Sequence, residues 1–298
     1  MATGIINPHA LAPSFSPEEF PFKHLYWAGG PNMLAKSYAD GDPVPSWPCE
    51  ITGNSIDDLV PEGGYSSSRF LYKDAGVNGN QSVFFTSTSH MGMRLVTRWS
   101  DYAAMNSVNY SPGSAQAIVT CSQQVSPSST AMSGIMHLYT DAQGAGGAAR
   151  APQLNMRAGA SASNTKISSA TSSGNSAYVD TLGGSRYSPF VTFYDATSPD
   201  PTPTPNTVYR TGDMFWTNGA AVGNYASTYA NAWTYSKGFA WGYWGVGGRA
   251  IDQVYNLRNT HVSFVGIYAD STVLMRDQPK FAALNTWFNN EYGVDIIT

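Results

Sequence analysis

Short runs of β-branched and aromatic residues, each closed by Gly, Ser, Asn or Pro, recur along most of this chain. That rhythm predicts strands and turns. The first ordered run is Phe22 to Trp27 (FKHLYW). QSVFFTS at 81–87 follows Asn78-Gly79, a dipeptide that accepts the positive φ of a tight hairpin. GMRLVTRW (92–99), AQAIVTCSQQV (115–125), GIMHLYT (134–140) and PFVTFYD (189–195) read as further strands. DMFWT at 213–217 meets Asn218-Gly219, a second hairpin signal, and VSFVGIYAD at 262–270 is the last strand.

One segment has a different period. In DQPKFAALNTWFNNEYG, 277–293, the residues Phe281, Leu284, Phe288 and Tyr292 recur every three or four positions. This predicts a helix with one apolar face, Asp277 capping its start, Pro279 in its first turn and Gly293 at its exit. A single helix after many strands flanks or plugs a sheet and does not alternate with strands. Between 141 and 188 the sequence thins to Gly, Ala, Ser and Thr. Strands of such residues are weakly specified and belong at a sheet edge or beside a partner. SPDPTPTPN at 198–206 is a stiff, extended surface loop. Residues 1–21 contain four prolines and no apolar period, so they read as an extended arm before one domain over 22–298. No period of 20–50 residues marks a propeller or solenoid. The expected fold is all-β: an antiparallel β-sandwich of jelly-roll type with a short C-terminal helix.

Composition sharpens this. Only 12% of the 298 residues are charged, against about 25% in an average chain. The net charge is −4 and no Lys/Arg cluster occurs, so a nucleic-acid partner is not expected. No apolar run approaches the ~20 residues of a membrane span. The N-terminus MATGIINPHALAPSFSP has neither the basic start nor the apolar core of a signal peptide, which suggests synthesis in a cytoplasm. Cys49 and Cys121 are too few for a zinc motif or a disulfide framework, and read as buried thiols or one bridge.

Catalytic signatures are sparse. The five glutamates, Glu18, Glu19, Glu50, Glu62 and Glu291, all lie off the expected strands. A glycosidase on a sandwich needs two carboxylates about 5–9 Å apart, and no strand places acids at i and i+2 or i+4. The five histidines, His9, His24, His90, His137 and His261, are scattered, with His137 a strand residue. No nucleophile elbow or His-x-x-x-His pair is present. GAGGAA (144–149) and GVGGRA (245–250) lack the Lys-Ser/Thr ending of a phosphate loop. Asp57, Asp58, Asp74, Asp195 and Asp200 are oxygen donors available to a structural calcium ion, but without regular spacing, so no cofactor is expected.

What the chain has in excess is aromatic rings. In SKGFAWGYWGVGG, 236–248, strand alternation puts Phe239, Trp241 and Tyr243 on one face and Trp244 on the other. The Phe239 and Trp241 rings are expected to fill the core. Tyr225, Tyr229, Trp233, Tyr235 and Trp244 are then the candidates to reach the surface, as contacts for a glycan or another subunit.

Two stretches resemble a known family. HLYWAGGPNMLAKSYADGDPVPSWP (24–48) is similar to the opening of concanavalin A-like, LamG-like jelly-roll modules. VSFVGIYADSTVLMRDQPKFAALNTWFNNEYGV (262–294) is similar to their end, with Phe264, Gly266, Tyr268, Trp287, Tyr292 and Gly293 at the matching positions. GYWGVGGR (242–249) and QSVFFTS resemble inner strands of the family. Chains of this length with this opening and ending resemble minor tail and other virion-surface proteins of tailed bacteriophages, notably of actinobacteria. The resemblance implies a non-enzymatic virion protein that docks on the particle through its N-terminal arm, beside other virion proteins and as a homo-oligomer. Host cell-surface polysaccharide is the further partner it implies. A capsid decoration protein and a glycoside hydrolase or lyase on the same fold are the alternatives. A cellular lectin is disfavoured by the missing export signal and disulfides.

Overall fold

The structure, a computed structural model, describes residues 15–61, 69–86, 115–125, 188–196, 259–270 and 273–298, with the strands at 95–97, 132–139, 153–158, 165–170, 176–180, 207–217, 220–230 and 243–246. The strands are β1 (His24–Trp27), β2 (Val60–Pro61), β3 (Phe70–Val77), β4 (Asn80–Phe85), β5 (Leu95–Thr97), β6 (Ala115–Gln124), β7 (Met132–Tyr139) and β8 (Gln153–Ala158). They continue as β9 (Thr165–Ala170), β10 (Ser176–Asp180), β11 (Phe190–Ala196), β12 (Thr207–Thr217), β13 (Ala220–Ala230), β14 (Tyr243–Val246) and β15 (Thr260–Asp270). Two helices are described, the single turn α1 (Pro31–Leu34) and the three-turn α2 (Phe281–Tyr292).

These strands form two antiparallel sheets, consistent with a β-sandwich, and a short C-terminal helix packs on the larger one. The larger runs β13-β12-β11-β6-β15-β4-β3, with β1 also on β15; the smaller runs β10-β9-β8-β7-β14-β5-β2. Small-residue strands β8, β9 and β10 lie at one end of the smaller sheet, the edge position their composition suggests. The first and last strands are neighbours, with Trp27 opposite Phe264 and Leu25 opposite Gly266. The first hairpin signal acts as expected, and strands pair on either side of the second. Asn78 (φ 51°) and Gly79 (φ 81°) turn β3 into β4, and the pairing of Thr217 with Ala220 leaves two residues between β12 and β13.

The larger sheet is buried on both faces around β15. One face carries Val119, Cys121, Phe193, Phe264 and Tyr268, covered by Phe281, Leu284, Phe288 and Tyr292 of α2. Each of these helix side chains contributes roughly 1.5–3 kcal/mol by leaving water. The other face carries Tyr26, Phe70, Val83, Phe85, Val262 and Val265, all buried with Trp47 and Leu59. Cys49 and Cys121 are both buried and unbridged.

Two expectations change. The helix starts at Phe281 behind Lys280, and Asp277 instead closes a 3-10 turn over Met275–Asp277. That turn buries Met275 in the core and consumes the residues expected to cap α2. Gly293 does end the helix in the left-handed conformation, at φ 70°. In the described part of the arm expected over 1–21, Pro17 is buried in a 3-10 turn and Phe20 is a core residue, next to Phe22 at the start of the expected domain. Phe22 packs where Gly266 has no side chain; a Cβ there would lie 2.6 Å from the Phe22 ring. The missing apolar period hid this because the segment is too short to show one. The loop at 198–206 lies outside the described residues.

Candidate functional site

The N-terminal and C-terminal stretches meet on one side of the sandwich. β1 ends at Trp27, half-buried beside β15. On α2, Ala283, Thr286, Trp287 and Asn290 recur every three or four positions along the flank next to the buried face. Phe15 and Ser16 form the facing wall. Together with Trp27 and Glu291, these residues line a cleft of about 600 Å³. This is within the size range of sites that hold small ligands.

The cleft is built on fixed parts. Trp287 contacts Trp27 at 5.2 Å between ring centroids, Phe288 at 5.3 Å, and Phe264 and Tyr292 each at 5.7 Å. Phe15 packs on the core cluster, and just beyond it the Phe20 ring lies 4.8 Å from Phe22 and 6.0 Å from Tyr268. The Ser16 N–H donates to Glu19 Oε1 at 3.1 Å, and the Ser16 hydroxyl donates to Glu18 Oε2 at 3.2 Å. Glu19 also pairs with Lys280 at 3.0 Å, across to the start of α2. At the far end of the helix, the Asn78 and Asn80 side-chain amides both donate to the Glu291 carbonyl, satisfying a group the helix leaves open.

Two other polar clusters are structural in geometry. Glu50 is buried, and its carboxylate accepts from the backbone N–H of Asn32 at 2.7 Å and Met33 at 3.1 Å. Burial pushes its pKa up to about 7 against the pull of those two donors, with Glu18 and Asp58 adding to the rise. Gly30 leaves the room, since a Cβ there would sit 2.4 Å from the Glu50 carboxyl carbon. On β4 and β15, Ser82 Oγ lies 2.8 Å from His261 Nδ1. Burial and the Lys73 charge lower the His261 pKa to about 4, with Asp40 opposing. Ser82 is fully buried, so this pair presents no nucleophile to a substrate.

Three of the five residues expected to contact a ligand fall on described strands. Tyr225 and Tyr229 are on β13, at the edge of the larger sheet; Trp244 is on β14, inside the smaller one. Trp233, Tyr235, Phe239 and Trp241 lie outside the described residues. Of the acids considered for calcium, Asp58 accepts from the Ser46 hydroxyl and the Cys49 N–H, and Asp74 donates its backbone N–H to Asp40. Among the described residues no three His, Cys, Asp or Glu side chains converge as a metal site. None of the described helices is long and apolar enough to cross a membrane.

No family model matches the sequence, and no curated protein matches it. Solved structures resemble it in shape. The sialidase of Trypanosoma rangeli bound to sialic acid matches with a TM-score of 0.45 and 12% identity, over 85% of this chain and 32% of the enzyme. The chain thus spans about a third of the sialidase's length. An alginate lyase of Pseudomonas aeruginosa gives a TM-score of 0.38 and 11% identity, over 84% of this chain and 97% of the lyase. The alginate lyase Aly36B, a mutant bound to an alginate tetrasaccharide, gives 0.46 and 11%, over 86% and 98%.

Proposed function

We propose that this chain is a non-catalytic glycan-binding β-sandwich on the surface of a larger particle. The observation that carries the reading is the cleft of Trp27 and Trp287. Two half-buried indoles, fixed by the core, stand over a space of about 600 Å³ with Ser16, Thr286 and Asn290 at its walls. Indole faces take the C–H face of a sugar ring, and the neighbouring hydroxyls and amide match its hydroxyl groups. A glycosidase needs two carboxylates astride the bond, and among the described residues the cleft lining supplies one, Glu291.

The virion setting is supported by the resemblance of residues 24–48 and 262–294 to tailed-phage surface modules. Those are the stretches that supply Trp27 and Trp287. Residues 15–21 belong to the domain's own packing, so a docking role for the arm falls to the residues before Phe15.

The test is titration of the full chain with a panel of oligosaccharides by calorimetry, beside Trp27→Ala and a cleavage assay on the same panel. Saturable binding that Trp27→Ala weakens, without product formation, is the expected result. Cleavage would favour the hydrolase or lyase alternative. A concentration-dependent dimer abolished by Trp27→Ala would make the cleft a contact between copies of the chain.

A further inference from the structure

We infer that the Trp27–Trp287 cleft selects neutral saccharides and rejects acidic ones, an inference that rests on the glycan-binding reading above. Among the described residues the lining carries one carboxylate, Glu291, and no cation, its remainder being Phe15, Ser16, Trp27, Trp287 and small or amide side chains of α2. Behind the Ser16 wall stand two more carboxylates. Glu18 accepts from the Ser16 hydroxyl, and Glu19 accepts from the Ser16 N–H. Lys280, at the start of the helix, pairs with Glu19 at 3.0 Å, so these two exposed charges offset each other and Glu18 is the net charge behind the wall.

A uronate or sialate carboxylate entering this space loses water and gains no counter-charge, the arrangement in which a charge weakens binding. It also approaches Glu291. Two like charges ~7 Å apart at an effective dielectric between that of a protein surface and that of water repel enough to lower affinity about three- to tenfold. A neutral hexose or N-acetylhexosamine meets neither cost. Its hydroxyls find donors and acceptors in Ser16, Thr286, Asn290 and Glu291, and its apolar face finds an indole. The two Asn side chains that reach Glu291 bond its backbone carbonyl and do not occupy its carboxylate.

The experiment compares neutral hexasaccharides (cellulo-, malto- and chito-oligomers) with oligoalginate, oligogalacturonate and a sialylated oligosaccharide of similar length. The full chain is titrated by calorimetry at low salt and in 0.5 M NaCl, beside Glu291→Gln. At least one neutral oligomer is expected to bind at least threefold more tightly than every acidic one at low salt, with the gap narrowing at high salt and in Glu291→Gln. Equal or tighter binding of an acidic oligomer overturns the selectivity and leaves glycan binding standing. A gap that neither salt nor Glu291→Gln changes also overturns it, because selectivity then comes from shape and not charge. Binding of no oligomer overturns both this inference and the reading beneath it.

Discussion

Trp287 stands edge-on to Trp27, with ring planes at 87° and centroids 5.2 Å apart, although the two belong to opposite ends of the chain. The pairing of β1 with β15 creates this meeting. It aligns Trp27 with Phe264, and Phe264 is also in ring contact with Trp287. The two indoles therefore have few alternative rotamers, and a ligand that uses them meets little ordering cost.

Trp27→Ala is expected to weaken oligosaccharide binding about tenfold or more, since a stacked ring contributes on the order of 1 kcal/mol beyond its buried area. Trp27→Phe keeps a flat apolar face and should lose less. Calorimetry ranks the three proteins, and equal affinity of all three would remove Trp27 from the site. The thermal midpoint should fall only modestly, because Trp27 is half-buried at the edge of the core.

Much of this arrangement could be read before the fold was known. The hairpin at Asn78-Gly79, the last strand, the helix face of Phe281, Leu284, Phe288 and Tyr292, and the Gly293 exit all obey local rules of turn conformation and spacing. The site is less local. Trp287 lies beside the helix's periodic face, so the pattern leaves a large ring unassigned, and that leftover ring was the available signal. Its partner Trp27 is specified by strand pairing between the chain's two ends, which no local period encodes. The aromatic ladder over 236–248 lies mostly outside the described residues; of the rings named with it, Tyr225 is on β13 of the larger sheet and Trp244 on β14 of the smaller one.

Gly266 is where β15 gives up a side chain so that Phe22 can lie on it. Gly266→Ala places a methyl 2.6 Å from the Phe22 ring and 2.9 Å from the Phe264 ring, so both must shift. Overpacking of this kind costs about 1–3 kcal/mol. A denaturant titration should show that loss, and Phe22→Leu in the same chain should recover part of it. Additive losses in the double variant would mean the two residues do not compete for space.

Thr120 and Ser122 lie on the face of β6 opposite the one α2 covers, both fully buried, and their hydroxyls have no hydrogen-bond partner among the described residues. An unpaired buried hydroxyl costs roughly 1–3 kcal/mol, and Thr→Val removes it with little change of shape. Thr120→Val is therefore expected to raise the unfolding free energy by about 1 kcal/mol, read as a higher denaturation midpoint at unchanged slope. A lower midpoint would show that the hydroxyl is satisfied in solution.

Glu50 and His261 pull stability in opposite directions over the same pH range. Glu50 titrates at about 7 in the fold against 4.5 in the unfolded chain, so the native state holds its proton longer. Its contribution is complete below about 4.5 and is lost as pH rises through 7. His261 titrates at about 4 in the fold against 6.5 unfolded, chiefly because burial disfavours its cation. Its contribution is complete above about 6.5 and is lost as pH falls through 4. Between these limits the two slopes offset each other, so the wild-type midpoint should change little on their account from pH 4.5 to 6.5. Glu50→Gln removes one arm and keeps acceptance of the Asn32 and Met33 N–H groups by the amide oxygen, so its midpoint should fall more steeply on acidification than the wild type's. His261→Gln removes the other arm, so its midpoint should fall as pH rises through the same range. Thermal melts of the three proteins at half-unit pH steps decide it, and parallel curves would mean that neither group changes its proton affinity on folding.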